Sequence, residues 1–173
     1  AEYVPYDMRE LENLVRACEN QGVGSMLKVD FQNRAYMAQK AMAMGFQAIL
    51  FTDHQNAEQV KETIYLTTPE TPKYNGRFGY PNGRWLGYNP EPSQEYVEMN
   101  ASVVKAFMIE KKSAVDDIEN ICKVQGVDMI QFGPSDYCMS IGCNSAEHKE
   151  EWKAAEKHCI EVALANGVRP RVE

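Results

Sequence analysis

The chain has 173 residues, 44% of them hydrophobic, which is enough for one sizeable core, so a single domain over residues 1–173 is expected. A formal net charge of −7, with Lys and Arg scattered rather than striped, argues against nucleic acid and anionic membranes as partners. No apolar run approaches the ~20 residues that cross a bilayer, and the opening "AEYVPYDMRE" does not read as a signal peptide, so a cytoplasmic location is expected.

The first helix is marked by the capping-box spacing of Asp7 and Glu10, the apolar stripe Met8, Leu11, Leu14, Val15 and Cys18, and a stop at Gly22. "SMLKV" then reads as a strand, Asn33 to Met44 as a helix closed by Gly45, "FQAILF" as a buried strand, and Ala57 to about Leu66 as a helix. The segment "PETPKYNGRFGYPNGRWLGYNPEP", residues 69–92, breaks this rhythm with five prolines, four glycines and five aromatics, and is too long for a simple connector. It reads either as an ordered surface loop or subunit contact, or as a substrate-covering segment whose Arg77 or Arg84 binds an anion. Beyond it the alternation resumes: helix from about Ser93 to Ser102, strand Val104 to Ile109, helix Ser113 to Val124, strand Val127 to Phe132, and a last helix Ala146 to Asn166 ending at Gly167.

Short strands that are apolar on both faces and alternate with helices predict an α/β fold with a parallel sheet covered by helices. Such sheets carry their sites at the C-terminal ends of the strands. That rule puts Glu110, Asp136, "TDHQN" at 52–56 and Lys28 on or near one rim. Taken singly, Glu110 reads as a charge at a helix start and Asp136 as a turn residue after Gly-Pro. Taken together, two carboxylates at successive strand ends fit a divalent site built from oxygen ligands. Asp53 and His54 either terminate their strand or supply a general base steadied by a carboxylate; consecutive strand residues face opposite ways, so both reach a site only if the chain has turned. His148 and His158 read as solvated. The five cysteines contain no CxxC pair and read as reduced thiols, mostly core filler. Cys138 and Cys143 flank the loop after Asp136, but a zinc reading is disfavoured because no other zinc-type ligand is seen close by in sequence.

The stretches "EYVPYDMRELENLV", "GFQAILFTDHQNAEQVKETI", "NGRFGY" and "AFMIEKKSAVDDIENICKVQGVDMIQFGPSDYCMSIG" together resemble the HpcH/HpaI aldolase and citrate-lyase superfamily, in its 2-keto-3-deoxy acid aldolase branch. The resemblance implies a (β/α)8 TIM barrel of the phosphoenolpyruvate/pyruvate-binding type. It implies Mg²⁺ or Mn²⁺, with Co²⁺ or Zn²⁺ as further options, on Glu110 and Asp136. The implied reaction cleaves a 4-hydroxy-2-oxo acid to pyruvate and an aldehyde through a metal-stabilised enolate. Backbone groups around Gly133, Pro134 and Ser135 would hold the substrate carboxylate, although Pro134 has no N–H to give. The implied partners are a small 2-oxo acid and further copies of the chain, as a trimer or hexamer.

Such barrels usually need about 250 residues. Four complete strands are counted, so a partial barrel is expected, covering about strands 2 to 6 or 7. The chain also departs from the family pattern: Glu2-Tyr3 stands for a Glu-His pair, Ala43 for an Asp, Lys28 for an arginine and Met108 for a glutamine. Lys28 can neutralise a carboxylate but lacks the planar grip of arginine. Three readings therefore compete. The chain is an aldolase-like lyase using Tyr3, His54 or metal-bound water for proton transfer; or an enolate-forming lyase or decarboxylase on another 2-oxo acid; or a catalytically weak metal-binding homologue.

Overall fold

In the computed structural model, residues 7–80 and 94–172 are described, as eight helices and five strands. In chain order these are α1 (Met8–Asn20), β1 (Met26–Val29), α2 (Arg34–Met44), β2 (Ala48–Phe51), α3 (Ala57–Thr67), α4 (Gln94–Ala101), β3 (Val104–Ile109), α5 (Lys112–Asp116), α6 (Ile118–Cys122), β4 (Met129–Phe132), α7 (Pro134–Ser140), α8 (Lys149–Ala165) and β5 (Arg169–Arg171). The strands hydrogen-bond in the order β1-β2-β3-β4-β5. The order never reverses, which distinguishes the winding of a barrel from that of an open doubly wound sheet. β3 pairs in parallel with β4, Ile109 opposite Phe132, and β4 with β5, Met129 opposite Arg169. The α/β barrel-type fold read from the sequence is the fold found, with a fifth strand beyond the four counted.

Two compact units divide the chain: Ala1–Leu50 with Thr63–Val104, and Phe51–Glu62 with Lys105–Glu173. In the first, α2 buries Met37, Ala38, Ala41 and Met42 and stops at Gly45, whose φ of 102° is left-handed. Asp7 caps α1 by accepting from the Arg9 N–H at 2.7 Å. Arg34 Nε donates to Thr63 Oγ1 at 2.7 Å, tying α2 to α3. The chain after α3 is held tightly: Phe78 N donates to Thr68 O at 2.8 Å, and a Cβ on Gly76 would lie 2.0 Å from that same carbonyl oxygen. Residues 69–80 are the described part of the segment 69–92, with Arg77 exposed on it. Residues 81–92, including Arg84, lie outside the described residues, as does Ser93 at the expected start of α4.

In the second unit the core is built from Phe51, Phe107, Ile109, Ile118, Ile121, Ile130 and Phe132, all buried. The helix expected over 113–124 is broken into α5 and α6 at Asp117. The reason is a competing use of its carboxylate, which accepts the Ala57 N–H at 2.7 Å and the Asn120 side-chain amide at 2.6 Å. The final helix begins at Lys149 rather than Ala146, because Asn144 holds a turn, accepting Ala146 N at 2.8 Å on its side chain and His148 N at 3.0 Å on its carbonyl. The turn expected at Gly-Pro-Ser-Asp is the start of α7, with Pro134 in its first position. Among the described residues no helix is long and apolar enough to cross a membrane.

Candidate functional site

Three strand exits of the second unit meet at one carboxylate cluster. Leaving β2, the backbone turns at Asp53, whose φ of 59° is left-handed. The turn aims the Asp53 N–H at Glu110 Oε1, 2.8 Å away, at the end of β3. Glu110 is only 1% exposed, so this hydrogen bond fixes the direction of a buried acid. At the end of β4, Gly133 makes room for it: a Cβ there would lie 2.8 Å from Glu110 Cβ and 3.1 Å from its Oε2. Gly133 also donates its N–H to Ile109 O at 3.0 Å and accepts from Tyr137 N at 3.0 Å. That commits the Gly133 N–H elsewhere and leaves Ser135 and Asp136 as the backbone donors of that turn.

Asp136 sits in the first turn of α7. Between it and Asp53 stands the ammonium of Lys111, 2.7 Å from Asp53 Oδ1 and 3.7 Å from Asp136 Oδ1. Burial opposes the charge on Lys111, but the Asp53 hydrogen bond and the fields of Asp53, Glu110 and Asp136 outweigh it and hold its pKa above the ordinary lysine value. One cation among three acids leaves the cluster short of positive charge. Its donor set is all oxygen, the chemistry that hard divalent ions take, and Glu110 is already held in place for such an ion. The residues present fit a divalent metal.

The other expected site residues are placed by the elements that carry them. His54 is completely buried; its Nδ1–H donates to Thr52 O at 2.8 Å, and its ring stands edge-on to Phe107 with centroids 5.1 Å apart. The strand exit therefore brings Asp53, not His54, to the cluster. Lys28 lies half-buried in β1 and Arg77 beyond α3, both in the first unit, and Tyr3 lies outside the described residues. Met108, two residues before Glu110 and so on the same strand face, is half-buried against Gly133. Ala43 is in α2. Sequence reasoning missed Lys111, whose place between Asp53 and Asp136 is set by the fold. A second group of metal-type donors, Cys143, His148 and Glu151, lies around the α7–α8 corner, so the expectation that the cysteine pair has no zinc-type neighbour is corrected.

A model of the family described as HpcH/HpaI aldolase/citrate lyase matches residues 7–170. The chain belongs to this family. Within the family, 5-keto-4-deoxy-D-glucarate aldolase of Klebsiella pneumoniae is 24% identical over 168 residues, which are 96% of this chain and 64% of that protein. The 4-hydroxy-2-oxovalerate aldolase of Novosphingobium aromaticivorans is 32% identical over 104 residues, 60% of this chain and 38% of that protein. A crystal structure of an HpcH/HpaI aldolase from Desulfitobacterium hafniense has a TM-score of 0.84 at 27% identity, covering 98% of this chain and 64% of that one. The chain thus spans 64% of the length of the Klebsiella pneumoniae protein and of the Desulfitobacterium hafniense structure, a little under two thirds.

Proposed function

We propose that the chain serves a divalent-metal-dependent carbon–carbon lyase of the aldolase type, cleaving a 4-hydroxy-2-oxo acid to pyruvate and an aldehyde. The observation that carries this reading is the Lys111 ammonium set between Asp53 and Asp136 at the strand ends, with Glu110 oriented beside them by the Asp53 N–H. The names of the family relatives support the lyase class, and the oxygen donor set supports a hard ion, Mg²⁺ or Mn²⁺, on Glu110 and Asp136.

Bound there, a divalent ion supplies Lewis-acid stabilisation of the negative charge that develops on the substrate's keto oxygen as the carbon–carbon bond breaks. The protein's own groups do the rest. The Asp53 N–H holds Glu110 in one orientation, so the ligand is fixed before substrate arrives. The Ser135 N–H, with Gly133 committed to Ile109, is the group we assign to the substrate carboxylate. Removal of the proton from the 4-hydroxyl falls to the Asp53 carboxylate, which is 33% exposed, rather than to the enclosed His54. Lys111 stays protonated and offsets the negative charge of the cluster. Lys28 and Arg77 are retained for recognition of anionic substrate groups on charge alone, and Tyr3 as a further proton donor. The active form is proposed to be a homo-oligomer, acting on a small 2-oxo acid.

The test is a cleavage assay on a panel of 4-hydroxy-2-oxo acids with added Mn²⁺, wild type beside Glu110→Gln and Asp53→Asn. Aldehyde release that both substitutions abolish is expected. Release that survives Glu110→Gln would overturn the metal assignment, and survival in Asp53→Asn would return proton transfer to His54 or Tyr3. A related decarboxylase reading is separated by its product, carbon dioxide without aldehyde, and a catalytically weak homologue by the absence of either.

A further inference from the structure

The corner between α7 and α8 carries donors unlike those of the strand-end cluster. The loop after α7 closes with Cys143 N donating to Cys138 O at 2.9 Å. It is pinned again where Trp152 Nε1 donates to Ser145 O at 2.9 Å. This brings Cys143 against the first turn of α8, where His148 Nδ1 lies 3.2 Å from Glu151 Oε2. One ligand atom each from Cys143, His148 and Glu151 lies within 4.8 Å of the other two. In a tetrahedral zinc site the bond lengths of 2.0–2.3 Å put neighbouring donors roughly 3.5 Å apart, so a small inward movement of side chains that are partly exposed is enough.

We propose that Cys143, His148 and Glu151 form a binding site for a borderline-soft divalent ion of the zinc type, with solvent completing its coordination. A surface His–Glu pair three residues apart is ordinary on a helix; a thiol beside it is not. Sulfur and imidazole donors select against Mg²⁺ and Mn²⁺, which separates this site chemically from the oxygen cluster. Binding displaces the proton of the Cys143 thiol to solvent as the sulfur becomes a ligand. The bound ion would fasten α8 to the loop that follows α7, the helix carrying Asp136.

The experiment uses the full chain, reduced and stripped of metal, with Co²⁺ as a spectroscopic probe and Zn²⁺ as competitor. Wild type and Glu110→Gln are both expected to give a thiolate-to-cobalt charge-transfer band that one equivalent of Zn²⁺ removes and excess Mg²⁺ does not. Cys143→Ala should abolish the band, and His148→Gln should weaken Zn²⁺ binding at least about tenfold. No band in the wild type, or a band unchanged in both Cys143→Ala and His148→Gln, would overturn the proposal. Because Glu110→Gln leaves this site intact, its outcome is separate from that of the strand-end metal.

Discussion

The ammonium of Lys111 shares Asp53 and Asp136 with whatever else those carboxylates hold, so a divalent ion at Asp136 must work against a resident positive charge. Lys111→Met should therefore tighten Mn²⁺ binding by about tenfold or more, read by calorimetric titration, and an unchanged affinity would show that the lysine swings away at no cost. His54 belongs to a different category. Its ring is enclosed by Phe51 and Phe107, so His54→Ala should destabilise the chain by about 2–4 kcal/mol through the cavity it leaves, as measured by urea unfolding. A large loss of turnover at unchanged stability would instead restore it as the acid–base residue. At this scale Glu110 and Asp136 were legible because each follows an apolar run where a strand must end. Lys111 was not, since a lysine beside a glutamate reads as a solvated charge until the left-handed turn at Asp53 brings a second acid to it.

Among the elements, those written in apolar periodicity were readable: β3 runs over the expected residues, and α2 ends at the expected glycine. What periodicity could not show is a side chain working far from its own segment. Asp117 interrupts α5 and α6 in order to accept the Ala57 N–H at the start of α3, 60 positions away in sequence. Asp117→Ala should cost about 1–2 kcal/mol, the range for a lost helix cap, whereas Asp117→Asn should keep most of that stability. Equal losses in the two variants, by chemical denaturation, would remove the capping role. The helix α7 was hidden for another reason: at seven residues it is too short to display a stripe, although proline at its first position was a signal for a helix start.

For the whole molecule, the repeated strand–helix alternation was enough to give a parallel sheet covered by helices, which fits a barrel and an open doubly wound sheet alike; the barrel came from the family resemblance, and the sequential strand order agrees with it. β5 was not among the complete strands read from periodicity, because "RPR" has no apolar face; its place comes from pairing with β4 and from Arg171 Nη1 donating to Gln131 Oε1 at 2.8 Å. The buried thiols predict a global pH response. Burial pushes Cys122 up to about 11 and Cys159 to about 12, from an ordinary 9.0. Both keep their protons in the folded chain after the unfolded chain has lost them. Their contribution is therefore complete below pH 9.0 and is lost as pH rises toward 11–12. Tm should fall across that window, less so in Cys122→Ala, and a profile identical in the two proteins would contradict the assignment. The central claim, a hard divalent ion held by Glu110 and Asp136 for a 2-oxo acid, is tested most directly by Mn²⁺ calorimetry on the metal-stripped chain, with and without oxalate. A Cys143→Ala background keeps the α7–α8 corner silent. The account predicts Mn²⁺ binding that Glu110→Gln or Asp136→Asn abolishes, and oxalate binding only when Mn²⁺ is present; Mn²⁺ affinity that survives either substitution would contradict it.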